Sequence, residues 1–237
     1  MRNKLLRSDF WLDILFPNRC PFCGGIIPWD RLCCAGCYAE IPFMQAGAGC
    51  GQERALHYDR CLTAAFYEGN LRAGILALKN DNGVNLAKLL AAELFGRNNS
   101  AQFARIDAVC FVPMSRESRA LRNYNQAQVI ARIAAKQLRK PVLDALVKTD
   151  GRSPQHTLGY AERIENVRGA FALRGRLALT GKHLLICDDI VTTGSTLSEC
   201  ARVLKQAGAA HVTAFTLAAT RLSSLPPSTI TEKEQTL

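Results

Sequence analysis

The chain has 237 residues, 48% of them hydrophobic and 21% charged, enough for one large domain with a sizeable buried core and a small domain beside it. Its net charge of +10 favours anionic partners, whether nucleic acid, phosphorylated small molecules or acidic membrane surfaces, and is equally compatible with a solvated basic surface. No stretch is long and apolar enough for a membrane span, which excludes stable membrane insertion and leads us to expect a cytoplasmic protein.

Taken in chain order, the first apolar stretch is Phe10–Phe16, interrupted by Asp13. Leu6, Phe10, Trp11, Ile14 and Leu15 share one face of a short helix, suited to packing on its own domain or to lying on a membrane surface. Cysteines follow. Of ten in the chain, seven lie between Cys20 and Cys61. Cys20-Pro-Phe-Cys23 and Cys34-Ala-Gly-Cys37 are two C-x2-C pairs ten residues apart, the spacing of paired knuckles that complete a tetrahedral four-sulfur site for structural Zn2+. Cys33 can replace Cys34, but only Cys34 gives the paired spacing. So small a module buries little core, and structural zinc supplies ~10 to 16 kcal/mol of apparent binding energy to such folding.

The composition changes near residue 60, after which strands and helices alternate. The pattern predicts a strand over 63–67, helices over 71–79 and 85–95, a buried strand over 106–113 and an amphipathic helix over 126–138. It continues with a buried strand over 184–190, a helix over 197–207 closed by Gly208, and a strand over 211–218. Cys110, Cys187 and Cys200 sit in these apolar patterns as small core residues. Such alternation implies parallel βαβ units and an α/β fold. The Pro-containing, polar residues 223–237 read as a disordered tail, giving a division into a cysteine module over 1–60, an α/β domain over 61–222 and the tail.

The chemistry concentrates in Leu184–Leu197, LLICDDIVTTGSTL. An apolar strand ends in Asp188 and Asp189, and Thr192, Thr193, Gly194, Ser195 and Thr196 lead straight into a helix. Glycine lets backbone come close to a ligand, and the amides at a helix start favour an anion. The helix dipole alone contributes ~0.3 to 1 kcal/mol, so tight phosphate binding needs the hydroxyls as direct donors. The carboxylates can then accept hydrogen bonds from sugar hydroxyls or help hold hydrated Mg2+. Each piece alone is more simply a solvated strand end or an ordinary helix cap; the ordered whole points to a sugar-phosphate site. No Walker lysine follows Gly194, and Gly47–Gln52 (GAGCGQ) fails the dinucleotide fingerprint.

Upstream, Arg116, Arg119 and Arg122 recur every third residue after a buried strand, placed to grip a pyrophosphate, to meet a nucleic-acid backbone, or to form a solvated helix face. A long polar connector, Ser153–Phe171, carries Gln155, Arg163 and Asn166.

Three segments in order carry a family resemblance: Arg119-Ala-Leu-Arg122-Asn123-Tyr124-Asn125-Gln126-Ala127, then Gln155 to Phe171, then Asp188 to Thr196. Together they resemble the ComF/GntX family of competence-associated proteins within the type I phosphoribosyltransferases, with Asn123 where that family usually has glycine. The likeness runs from about Phe10 to Leu222. It implies a parallel sheet flanked by helices with an N-terminal zinc-ribbon-like module, and binding of phosphoribosyl pyrophosphate with Mg2+. Asp188 and Asp189 would be the catalytic pair under the ribose, with 192–196 as the 5-phosphate loop. It also implies phosphoribosyl transfer to a nitrogenous acceptor in connection with DNA uptake, with single-stranded DNA or uptake-machinery proteins as partners. A rival expectation is a competence factor that senses phosphoribosyl pyrophosphate without turnover. Thr192 stands where some superfamily members carry a carboxylate base. The family often has a second zinc site, but Cys50 lacks a partner because position 47 is Gly47.

Overall fold

The computed structural model describes residues 17–45, 56–77, 83–98, 103–115, 117, 124–149 and 167–221. A short helix α1 (Ala35–Ala39) belongs to the cysteine region. Then follow strand β1 (Arg60–Phe66), helices α2 (Gly69–Ala77) and α3 (Gly83–Arg97), strand β2 (Ala108–Phe111) and helix α4 (Gln126–Leu138). Strands β3 (Leu146–Lys148), β4 (Phe171–Leu173) and β5 (His183–Val191), helix α5 (Ser195–Gln206) and strand β6 (His211–Ala219) complete the described order.

Four strands form a parallel sheet in the order β1-β6-β5-β2. The apolar runs read as buried strands are buried on both faces: Leu184 to Cys187 and Val212, Ala214, Phe215, Leu217 and Ala218 have no exposed surface. Beyond β2 the sheet is extended by one parallel bridge from Val109 to Val142, where Val109 N–H donates to Pro141 O at 2.9 Å and Leu143 N–H to Val109 O at 2.7 Å.

That bridge sets the topology. From β2 the chain passes through α4 to Val142, on the side of β2 away from β5. From β5 it passes through α5 to β6, on the opposite side. The winding reverses between β2 and β5, and parallel crossovers keep one hand, so α4 and α5 go to opposite faces. Where the winding reverses, the loops leaving the strand ends diverge and open a crevice.

Helix α4 packs on β2 and β5 with α3 beside it, and α5 packs on the other face with β4. In α4 the side toward the strands is Ala127, Ile130, Ala131, Ala134 and Ala135, all buried, and small residues let helix and sheet approach closely. In α3 the stripe Leu86, Leu89, Leu90 and Leu94 is buried as its period predicts. Cys110, Cys187 and Cys200 are fully buried core residues.

The cysteine region is joined to this core. Phe66 N–H donates to Pro42 O at 2.9 Å and Met44 N–H to Ala64 O at 3.0 Å, so 42–44 covers the outer edge of β1. The Tyr38 hydroxyl donates to Glu93 Oε1 at 2.7 Å, Asn85 Nδ2 to Asn18 Oδ1 at 2.9 Å, and the Arg97 guanidinium lies 4.0 Å over the Phe43 ring. No described helix is long and apolar enough to cross a membrane. The tail over 223–237 and the N-terminal apolar stretch lie outside the described residues.

Candidate functional site

Strand β5 stays in register with β6 as far as Val191, because backbone pairing continues past the last core side chain: Asp188 sits opposite Thr216 and Ile190 opposite Ala218. Asp188 and Asp189 are both half-buried. Asp188 Oδ1 accepts the Asp189 N–H at 2.9 Å, and Asp189 Oδ1 accepts the Ile190 N–H at 2.7 Å. Burial, and then the charge of Asp189, push the Asp188 carboxyl well above the usual carboxylate range. Two crowded oxygen donors of this kind suit hydroxyl donors or a hard cation, so the pair fits Mg2+ in chemistry.

Directly after the strand, Thr192 is exposed and Thr193, Ser195 and Thr196 are half-buried. Gly194 is buried and stands at the N-cap of α5 with φ +77°, a left-handed conformation, and with no side-chain cap. Glycine offers no side chain to cap the helix, and the flanking hydroxyls lie free of that residue. The Thr193 and Ser195 hydroxyls instead bond to one another, and Ser195 N–H donates to Thr193 Oγ1 at 3.3 Å. The first helical bond runs from Ser198 N–H to Gly194 O at 2.8 Å, so first-turn amides open toward the loop as at any helix start.

Residues distant in sequence press on this loop. A Cβ at Gly194 would lie 2.6 Å from the Tyr58 hydroxyl oxygen, so tyrosine sits where any other residue would place its side chain. The neighbouring His57 N–H donates to Ser198 Oγ at 3.0 Å. Asp59 fixes the other end of this strap, accepting from Lys205 Nζ at 2.6 Å and from Val212 N–H at 2.7 Å. Burial alone would raise the Asp59 carboxyl, but Lys205, Val212 N–H and His211 outweigh it and hold it below its usual range. A cleft of about 740 Å³ opens beside the loop, lined among others by His57, Arg168, Thr193, Ser195 and Glu199.

The second loop at the crevice follows β2. Val112 N–H donates to Cys187 O at 3.0 Å, which sets the end of β2 against β5. Asn125 is buried, caps α4 by accepting from Ala127 N–H at 3.0 Å, and donates to Val112 O at 3.0 Å, closing the base of the loop. Arg116, Arg119 and Arg122, and likewise Gln155, Arg163 and Asn166, lie outside the described residues.

The other candidate site is the cysteine cluster. The ligand atoms of Cys20, Cys23, Cys34 and Cys37 lie within 4.8 Å of one another, with Cys23 Sγ and Cys34 Sγ 3.9 Å apart. A tetrahedron with Zn–S of about 2.3 Å places its sulfurs about 3.8 Å apart, so the set fits a tetrahedral metal. Cys34 also caps α1, its sulfur accepting the Cys37 N–H at 3.4 Å. Burial raises the Cys20 thiol, but N–H groups of Cys23, Cys34 and Phe22 outweigh it and bring it to about 7. Cys37 is pushed up by burial and by sharing its proton with its neighbours, as expected where crowded sulfurs compete for ionisation. Cys33 stands outside the cluster, buried and raised to about 11, which leaves Cys34 as the partner in the second pair.

Sequence reasoning missed Tyr58, His57, Asn125, Arg168, Ser198 and Glu199 as parts of the site. Asn125 and Arg168 lie within segments that carry the family resemblance, and Asn125 also stands immediately before a helix.

The phosphoribosyl transferase domain family matches residues 80–234, about two-thirds of the chain, including α5 and both loops at the crevice. The chain belongs to the phosphoribosyl transferase domain family. "DNA utilization protein YhgH" of Escherichia coli K12 is 28% identical over 208 residues, covering 85% of this chain and 90% of that protein. "Competence protein F" of Haemophilus influenzae is 25% identical over 223 residues, covering 86% and 97%. These relatives span nearly the whole chain and bear out the ComF-like resemblance within the family. Among solved structures, orotate phosphoribosyltransferase from Aeropyrum pernix is similar at 22% identity, covering 62% of this chain and 63% of that one, with a TM-score of 0.36.

Proposed function

We propose that this ComF-like phosphoribosyltransferase binds phosphoribosyl pyrophosphate with Mg2+ and transfers the phosphoribosyl group to a nitrogenous acceptor, in a role connected with the use of DNA. The observation that carries the reading is the left-handed Gly194 turn with hydroxyls on both sides of it. Thr192, Thr193, Ser195 and Thr196 stand at a helix start directly beyond the Asp188–Asp189 pair, on one of the two strands flanking the topological reversal.

In this reading the first-turn amides and loop hydroxyls hold the 5-phosphate, which lays the ribose over the end of β5. Asp188 and Asp189 accept from the ribose hydroxyls, and their negative charge favours the positive charge developing at the anomeric carbon. The bond from that carbon to pyrophosphate breaks and its electron pair leaves with pyrophosphate. The acceptor nitrogen donates the pair that forms the new bond and then loses a proton. Mg2+ supplies neutralisation of charge on the departing pyrophosphate. Arg116, Arg119 and Arg122 are assigned to the pyrophosphate, and Gln155, Arg163 and Asn166 to the connector's contribution. We assign Zn2+ to Cys20, Cys23, Cys34 and Cys37 as a structural ion, retain the division into 1–60, 61–222 and 223–237, and place the protein in the cytoplasm. The names of the relatives support a link to DNA.

The test is calorimetry of the full chain with phosphoribosyl pyrophosphate and Mg2+, followed by pyrophosphate release with a panel of nitrogenous acceptors. No binding overturns the reading. Binding with no release from any acceptor overturns the transferase step and leaves a sensor of the same ligand.

A further inference from the structure

The described chain on either side of 150–166 meets at one place. Thr149, at the end of β3, donates through Oγ1 to Gly169 O at 3.0 Å and through N–H to Ala170 O at 2.9 Å. The returning limb, Val167–Ala170, leads straight into β4. This limb is also tied to α5, because Gly169 N–H donates to Glu199 Oε1 at 2.7 Å.

Glu199 is only 6% exposed. Arg202 holds it from the other side, with Nη2 2.6 Å from Oε1 and Nε 2.7 Å from Oε2. A carboxylate so buried is stable only while its partners are present, so limb, carboxylate and guanidinium form one unit. Glu199 lies four residues beyond Ser195, one turn along the same helix face. The clamp thus fixes the limb to the very helix whose start carries the loop hydroxyls.

The consequence falls on Arg168. Its neighbour Gly169 is clamped, and Arg168 itself is exposed and lines the cleft shared by Thr193, Ser195 and His57. The charge of Arg202 in that cleft is matched by Glu199, whereas among the described residues no carboxylate pairs with Arg168. An arginine presents a planar fork suited to phosphate oxygens.

We infer that Arg168 is a further binding residue for the phosphorylated end of the sugar substrate, and that Glu199 is the positioning residue that holds it at the cleft. The inference rests on the hydroxyl loop being a phosphate site. It assigns work to the return limb itself.

Calorimetry with phosphoribosyl pyrophosphate and Mg2+ on the full-length wild type, Arg168→Gln, Glu199→Gln and the double variant tests it, with thermal melts alongside. Loss of a charge-assisted contact is expected to weaken binding by about tenfold or more in Arg168→Gln, with the melting temperature unchanged because the side chain is exposed. The variant should also show a flatter dependence of affinity on salt. Glu199→Gln is expected to weaken binding as well, and the double variant should bind within about twofold of Arg168→Gln, since Glu199 acts through Arg168. A purely structural Glu199 would lower the melting temperature without that non-additivity. Wild-type binding that Arg168→Gln leaves within about twofold, or two effects that multiply in full, overturns the inference alone. Absence of wild-type binding overturns the phosphate-site reading beneath it.

Discussion

Replacing Gly194 by alanine tests the geometry of the candidate phosphate loop directly. Two costs are built into that position. Its φ of +77° is left-handed, which costs a residue with a Cβ about 1 to 2 kcal/mol. The new Cβ would also lie 2.6 Å from the Tyr58 hydroxyl oxygen, and tyrosine cannot withdraw freely because its side chain is buried. Forced repacking of this kind costs about 1 to 3 kcal/mol. Together Gly194→Ala should lose about 2 to 5 kcal/mol, a large share of a typical folding stability of about 5 to 15 kcal/mol. The two parts separate experimentally. Tyr58→Phe removes the one atom closer than 3.0 Å and leaves the ring carbon at 3.5 Å, an ordinary contact. In urea unfolding, Gly194→Ala/Tyr58→Phe should therefore regain the clash of about 1 to 3 kcal/mol, offset by about 1 kcal/mol for the lost hydroxyl bond, so that the two single losses are less than additive. The backbone share should remain, as should a loss of phosphoribosyl pyrophosphate binding. A Gly194→Ala protein within about 0.5 kcal/mol of wild type, or a double variant whose loss is the full sum of the two single losses, would refute the reasoning.

Asp189→Asn should weaken phosphoribosyl pyrophosphate binding by about tenfold or more in calorimetry while raising the melting temperature at neutral pH, because the repulsion with Asp188 is relieved. Zinc content measured on the purified chain should fall sharply in Cys34→Ser, and chelation should lower the wild-type melting temperature, since the four-sulfur site ties 20–37 into the shared core. Asp59→Asn should destabilise the protein by about 1.5 to 3 kcal/mol at neutral pH, through loss of its charged bonds to Lys205 and Val212 N–H. The folded-state value of Asp59 is depressed, so its contribution is present above the ordinary carboxylate range and lost as pH falls through it. The gap between wild type and Asp59→Asn in chemical unfolding should therefore close only as pH falls below the ordinary carboxylate range.

Several parts of this architecture are legible in the sequence. Helix α4 was predicted over 126–138 and spans Gln126–Leu138, because a polar cap, an apolar period and a basic last turn all agree there. The strand ending in Asp188 and Asp189 and the helix after Gly194 were legible for the same reason, as was the four-cysteine set. Strand β2 is shorter than its apolar run, 108–111 against 106–113, because burial continues past the last ladder bond. The hairpin of β3 and β4 was not foreseen. Each strand has three residues, they lie more than twenty residues apart, and no short turn joins them.

By itself the sequence determined what neighbours along the chain can express: the periods of helices and strands, the C-x2-C spacing, and an acidic pair followed by hydroxyls and glycine. These patterns hold within a few residues, the range over which backbone geometry fixes side-chain direction. Tertiary structure decided the sheet order, with its reversal between β2 and β5, and brought His57 to Ser198 across 141 positions and Gly169 to Glu199 across 30. Such contacts follow from how whole faces bury against one another, and no local pattern records which distant residue completes them.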